Sequence, residues 1–303
     1  MSILVVGSVA FDSVKTPFGQ VERILGGSAV HFSMAASILS QVHLVGVVGE
    51  DFGEENILTL KRRGINVDNL NQIKGGKTFF WQGYYEYDMN QAHTVKTELN
   101  VFQNFNPVIP DNLKNSEYVF LANIDPDIQL ALIQQVRNPK LIVCDTMNYW
   151  IENKKEALLN VMKKVDVMLL NDGEARELFN TTNLIKAAKK AMALGVKVVI
   201  IKKGEHGAIM FSQDSIFTAP AFPLEEVIDP TGAGDSFAGG FLSFLERNKK
   251  INDEYLRKAL VYSTIIASFY VQDFGTRAIE KITYTDIKQR YVTLQKITQF
   301  KNI

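Results

Sequence analysis

The chain has 303 residues, 46% hydrophobic and 22% charged, a composition that can bury a full globular core. Lys plus Arg and Asp plus Glu number 33 each, with the basic residues scattered as short pairs such as Lys163-Lys164, which argues against nucleic acid as a partner. No apolar run reaches the roughly 18 residues of a membrane span, and the single cysteine, Cys144, excludes an internal disulfide; with no basic leader, the expected location is the cytoplasm.

In chain order, apolar runs of strand length alternate with helix-period segments. Ile3–Val6 reads as a strand, Ser28–Leu39 as a helix, Leu44–Val48 as a strand and Glu54–Arg63 as a helix. The alternation resumes with strand Tyr118–Ala122, helix Pro126–Val136, strand Leu141–Asp145, helix Lys154–Lys164, strand Val167–Leu170 and helix Leu184–Leu194. Strands Val198–Lys202 and Ala208–Phe211 follow, then helices Asp235–Glu246, Asp253–Val271 and Thr285–Ile297. Continuous apolar strands between helices predict an α/β fold with a mostly parallel, doubly wound sheet covered on both faces. Cys144 lies in such a strand and reads as a core residue. The four histidines, His31, His43, His93 and His206, lack metal-ligand spacing, so no zinc site is expected.

Lys77–Val101 breaks this rhythm. It is β-prone and aromatic, with a turn-rich centre at Asp88-Met89-Asn90. We read it as a hairpin outside the main sheet, forming a small β lid with Phe11–Ile24; an edge hairpin of the main sheet is the alternative. Gly76-Lys77-Thr78 imitates the end of a P-loop, but Asn71 stands where the first glycine belongs and strand follows it, so it is rejected.

The most informative stretch is Asp229-Pro230-Thr231-Gly232-Ala233-Gly234-Asp235-Ser236-Phe237-Ala238-Gly239-Gly240-Phe241. A glycine turn opening straight into a helix presents backbone N–H groups and the positive end of the dipole, a site for phosphate. A carboxylate there, Asp235, is repulsive unless it accepts a proton from a hydroxyl attacking the phosphate. Asp12, Asn123, Asp145, Asn148, Asn171 and Glu174 all follow expected strands, where ligands of open α/β sheets bind. Each alone is equally a cap or turn residue; together they outline a polar cleft.

This stretch resembles the C-terminal signature of the ribokinase-like carbohydrate kinases, the PfkB family. Gly7-Ser8-Val9-Ala10-Phe11-Asp12, Gly26-Gly27-Ser28-Ala29-Val30-His31, Asn171-Asp172-Gly173-Glu174 and Lys203-Gly204-Glu205-His206-Gly207-Ala208 resemble its other motifs, in order along essentially the whole chain. The resemblance implies a ribokinase-like three-layer sandwich, residues 1–303 as one kinase domain with lid segments at about 11–24 and 77–101. It assigns Asp12 to substrate hydroxyls and lets Gly26 and Gly27 bring backbone close to substrate, with His31, Asn123, Asp145 and Asn148 completing the acceptor pocket. Asn171, Lys203, Gly204, Gly207 and Thr231 fall to the nucleotide. Gly232, Ala233 and Gly234 become the anion hole, and Asp235 the base. Glu174 would position Mg²⁺ through water, and Asp229, with Thr231 and the loop near Gly275, would hold K⁺.

Two departures lie on the acceptor side. Most sugar kinases of the family carry Asn where this chain has His31, and ribokinases proper carry Glu where it has Asn123. The leading expectation is therefore an ATP-dependent kinase acting on a primary hydroxyl of a small sugar-like compound, ribose excepted. The alternative is a nucleoside kinase, with Phe79, Phe80, Trp81, Tyr84 and Tyr85 available to stack on a base. A catalytically silent regulator is the third possibility, opposed by the presence of Asp235. Some members pair through their lids, and a homodimer of that kind is expected here.

Overall fold

The computed structural model describes residues 2–213 and 215–299. Its nine-stranded sheet runs β13-β12-β11-β10-β9-β8-β1-β4-β5. These are β1 (Ser2–Val6), β4 (Gln41–Gly49), β5 (Ile65–Ile73), β8 (Tyr118–Leu121), β9 (Leu141–Cys144), β10 (Val167–Asn171), β11 (Val198–Lys202), β12 (Ala208–Ser212) and β13 (Ile216–Ala219). Every pairing from β11 across to β5 is parallel, while β12 and β13 extend the edge antiparallel.

Strand alternation divides the core in two. Ile3 and Val5 of β1 join one apolar cluster, whereas Leu4 and Val6 join the other. The first is covered by α1 (Ser28–Ala36), α2 (Glu54–Arg62), α8 (Ala233–Asn248), α9 (Asp253–Tyr270), α10 (Arg277–Lys281) and α11 (Tyr284–Thr298). The second is covered by α3 (Pro126–Ile133), α4 (Asn148–Asn153), α5 (Lys155–Met162), α6 (Asp172–Phe179) and α7 (Leu184–Ala193). The result is the three-layer ribokinase-like sandwich. Gly239, in the signature, serves this packing: a Cβ there would lie 2.5 Å from the Phe32 carbonyl of α1. No helix among the described residues is long and apolar enough to cross a membrane.

A second sheet, ordered β3-β2-β6-β7, stands apart from the first. Its strands are β2 (Ala10–Thr16), β3 (Gly19–Gly26), β6 (Phe79–Tyr85) and β7 (Ala92–Glu98). They form two antiparallel hairpins joined by a parallel β2–β6 pairing.

Sequence reasoning gave neither β5 nor β13. In β5, Asp, Asn and Gln interrupt the apolar alternation, because this edge strand is half exposed. Asp145 lies just past β9 rather than inside it, and its amide bonds the Leu121 carbonyl at 3.1 Å.

Candidate active site

The carboxyl ends of β1, β8, β9, β10 and β11 share one edge of the main sheet, with the start of α8 above it. Crossing from β4 and β5 on one side of β1 to β8 on the other makes this edge a topological switch point, where ligand crevices form. Gly232 is the N-cap of α8 in the left-handed region (φ 75°, ψ 2°), and no side chain caps the helix. The Ala233 amide turns back to the Pro230 carbonyl at 3.1 Å, so it does not face the site as expected. Helix geometry leaves the N–H groups of Gly234 and Asp235 without intrahelical acceptors. Gly234 is helical rather than strained; its missing side chain leaves room for the Lys202 ammonium, which would be 2.9 Å from a Cβ.

Asp235 is half-buried at this turn. Burial, with the charges of Asp145 and Asp12, pushes its carboxyl up to about 7 against the pull of His31 and Lys202. A carboxylate poised there accepts a proton near neutral pH.

Asp12, Gly26, Gly27 and His31 come together beside it. Any side chain at Gly26 would collide with the Asp12 carboxylate. Gly27 (φ 94°) lets the chain cross the β1–β2 connection, since a Cβ would lie 2.6 Å from the Ser8 carbonyl. His31, 2% exposed, bonds Asp12 Oδ2 through Nε2 at 3.3 Å and Tyr270 Oη through Nδ1. Burial works to lower the His31 pKa, yet the hydrogen bond and charge of Asp12, backed by Asp235 and Asp229, raise it above 6.5. The same ring packs beneath Gly232, so His31 touches both Asp12 and the glycine turn before α8. Tyr270 gave no sequence signal; it is one aromatic among many on α9.

Three further acceptor-side residues are engaged elsewhere. Asn123 accepts the Trp150 indole N–H at 2.9 Å, and Asn148 donates to Glu177 at 2.6 Å on the exposed flank. Asp145 accepts Lys202 Nζ at 2.8 Å, and that ammonium abuts the first turn of α8.

Asn171 and Glu174 form a capping box on α6: Asn171 Oδ1 accepts the Glu174 amide and Glu174 Oε2 accepts the Asn171 amide, each at 2.7 Å. Burial, then Asp145, pushes Glu174 up to about 8 despite Lys202 and the Asn171 amide. A buried carboxylate so placed suits a magnesium ion that keeps its waters and sits mainly on phosphates. Lys203 and Gly204 start the loop after β11, which Gly207 closes by bonding the Lys203 amide at 2.7 Å. Asn90, between β6 and β7, abuts Gly204.

Asp229, Thr231 and Gly275 converge. Asp229 takes the Thr231 amide at 2.9 Å and the Gly275 amide at 3.1 Å, one on each oxygen. Its carboxylate thus ties two loops, which explains a second acid so near the glycine turn. The Thr231 hydroxyl donates to Tyr85 Oη at 3.2 Å, joining the small sheet to that turn. Cys144 is buried and its thiol is pushed up by burial, so it is no nucleophile.

A half-buried carboxylate at an uncapped helix start, with a second carboxylate beside it, fits a phosphotransferase with an alcohol acceptor. The model of the pfkB family carbohydrate kinases matches residues 2–282, and the chain belongs to that family. It is 28% identical over 259 residues to the cytidine kinase of Thermococcus kodakarensis, covering 84% of this chain and 91% of that one. The ribokinase of Lactococcus lactis subsp. lactis is 26% identical over 290 residues, 91% and 92% of the two chains. The crystal structure of Methanocaldococcus jannaschii nucleoside kinase superposes with a TM-score of 0.77 at 23% identity, covering 97% of this chain and 99% of that one.

Proposed function

We propose that the protein is an ATP-dependent nucleoside kinase, phosphorylating the primary hydroxyl of a ribose that carries a planar base. One observation carries this choice over a free sugar. Asp12 and Trp81 are register partners across β2 and β6, so they lie side by side on one face. The Trp81 indole lies over Gly83, whose missing side chain makes room for it, and its Nε1 is tied to Thr94 Oγ1 at 3.1 Å. Tyr85, on the same face, reaches Thr231, so this face looks toward the anion turn. A carboxylate that accepts two vicinal hydroxyls next to a flat, held aromatic ring matches a ribose diol with its base. The other aromatics of this stretch are taken up elsewhere: Phe79 stacks on Phe102, Tyr84 on His93, and Phe80 packs on the core.

In the reaction, Asp12 fixes the acceptor's hydroxyls and Asp235 takes the proton of the attacking one. The amides of Gly234 and Asp235 hold the transferring phosphoryl group in place. Glu174 is the carboxylate placed to hold Mg²⁺ through water; the ion neutralises phosphate charge when bound. The segments 11–24 and 77–101 act as a lid, latched by Tyr85 on Thr231.

ATP consumption against cytidine, inosine, adenosine, ribose and sugar phosphates tests the reading, and a nucleoside is expected to lead the panel. Trp81→Ala should lower nucleoside kcat/KM by about 10- to 100-fold, the worth of one stacking contact, with the KM for ATP nearly unchanged. Ribose outperforming every nucleoside would overturn it. The same assay with K⁺ replaced by a large organic cation reads whether Asp229 also serves a monovalent ion. The small sheet leaves Phe18, Tyr87 and Val95 exposed at 52%, 89% and 60%, so pairing of two such sheets is part of this proposal. Light scattering at micromolar concentration is expected to give a dimer mass, and a monomer mass would remove it.

A further inference from the structure

Lys202 belongs to none of the roles assigned above. It ends β11, paired in register with Asn171 of β10. Its side chain is 17% exposed, and its ammonium bonds Asp145 Oδ2 at 2.8 Å. The ammonium also abuts the first turn of α8, where a Cβ on Gly234 would lie 2.9 Å from Nζ. The charges of Glu174 and Asp235 act on it as well.

Burying an ammonium is costly, and one ion pair rarely recovers more than its own desolvation. A pair kept only for stability has no reason to stand against the open end of a helix. Here the acids exceed the cations: Asp145, Glu174 and Asp235 all act on Lys202. Delivering a phosphate to this turn needs a positive charge at that spot, and Lys202 is the cation in contact with the Gly234 position.

We propose that Lys202 is a phosphate-binding catalytic residue, contacting the transferring phosphoryl group, and that Asp145 is the positioning residue that holds its ammonium at the α8 turn. This rests on the kinase reading above and deepens it. It moves Asp145 from the acceptor pocket to the phosphate side. It also gives the phosphate contact to Lys202 in place of its neighbour Lys203, whose amide serves the glycine loop. A point charge on a flexible stem suits a group that follows phosphate during transfer.

The test compares wild type with Lys202→Met, Lys202→Arg and Lys202→Met/Asp145→Asn. The double variant removes both charges, so it keeps the question open to measurement if Lys202→Met alone fails to fold around an unpaired Asp145. Calorimetry with a non-hydrolysable ATP analogue and with ADP reads the terminal phosphate's share of binding without turnover. The double variant should bind the analogue at least about tenfold more weakly than wild type, with ADP affinity changed less than about threefold. With a nucleoside acceptor, its kcat should fall about 10²–10³-fold, the usual loss for one donor to a transition-state anion. Lys202→Arg should recover much of both. Analogue affinity and kcat within threefold of wild type in the double variant would overturn the proposal and leave the kinase reading standing. If wild type turned over no acceptor, the kinase reading would fail alone, and the analogue-against-ADP comparison would still decide whether Lys202 holds the terminal phosphate.

Discussion

Asp235→Asn is expected to abolish most turnover while making the protein more stable. The activity side follows from position and proton affinity. Asp235 lies at the α8 turn with its carboxyl pushed up to about 7, chiefly by burial. It therefore takes up and gives off its proton near neutral pH. Without a proton acceptor, kcat should drop about 10²–10⁴-fold, with ATP still bound. In wild type, kcat/KM should fall toward acid pH with an apparent pKa near 7, as the base is protonated. The stability side follows from the same shift. Between the ordinary carboxyl value of 3.8 and about 7, the folded protein holds this proton more tightly than the unfolded chain. The Asp235 contribution to stability then declines as pH rises through that window, and above it the half-buried carboxylate is a net cost. The asparagine removes that cost, offset in part by lost attraction for His31 and Lys202. Thermal melts at about pH 8 should show Tm raised by a few degrees, and the gain should shrink toward pH 4. Near-normal turnover in the variant would remove Asp235 from its role; a lowered Tm at alkaline pH would contradict the burial argument.

The residues that were legible in the sequence were those whose chemistry depends on local order. The alternation of apolar strands and helices gave the layered sheet, because a strand buried on both faces must be apolar throughout. The run from Asp229 to Phe241 showed the glycine turn that starts α8, because a glycine N-cap leading into a helix is written in consecutive residues. What stayed hidden depends on contacts far apart in the chain. The His31 ring sits between Asp12, Tyr270 and Gly232, and the last two lie more than 200 residues away from it. No periodicity announces such a meeting. Asn123 and Asn148 looked like cleft residues because they follow strands, but the partners Trp150 and Glu177 that claim them come from neighbouring helices. Lys202 did carry a signal: a lysine closing the apolar run Val198-Val199-Ile200-Ile201. A charge at the carboxyl end of a buried strand either pairs or binds, and motif matching passed over it for the next residue.

Gly232→Ala should damage both turnover and stability, and its effect should depend on His31. Gly232 holds φ at 75°, where an L side chain is strained by about 1–2 kcal/mol. Its Cβ would also collide with the His31 ring. The collision has two outcomes, both harmful. If the ring yields, His31 loses its bonds to Asp12 and Tyr270, and the acceptor anchor drifts. If the turn yields, the Gly234 and Asp235 amides no longer point where the phosphoryl oxygens develop charge. Either way kcat should fall about 10²–10³-fold, and stability should fall with it. A stability cycle with His31→Ala separates strain from collision. Truncating the ring clears the space, so Gly232→Ala should then cost only its backbone strain. The two changes should be non-additive, with a coupling of about 0.5–3 kcal/mol, read from urea unfolding of the four proteins. Additive costs would mean that the ring and the turn do not bear on each other, and that His31 reaches the acceptor side alone.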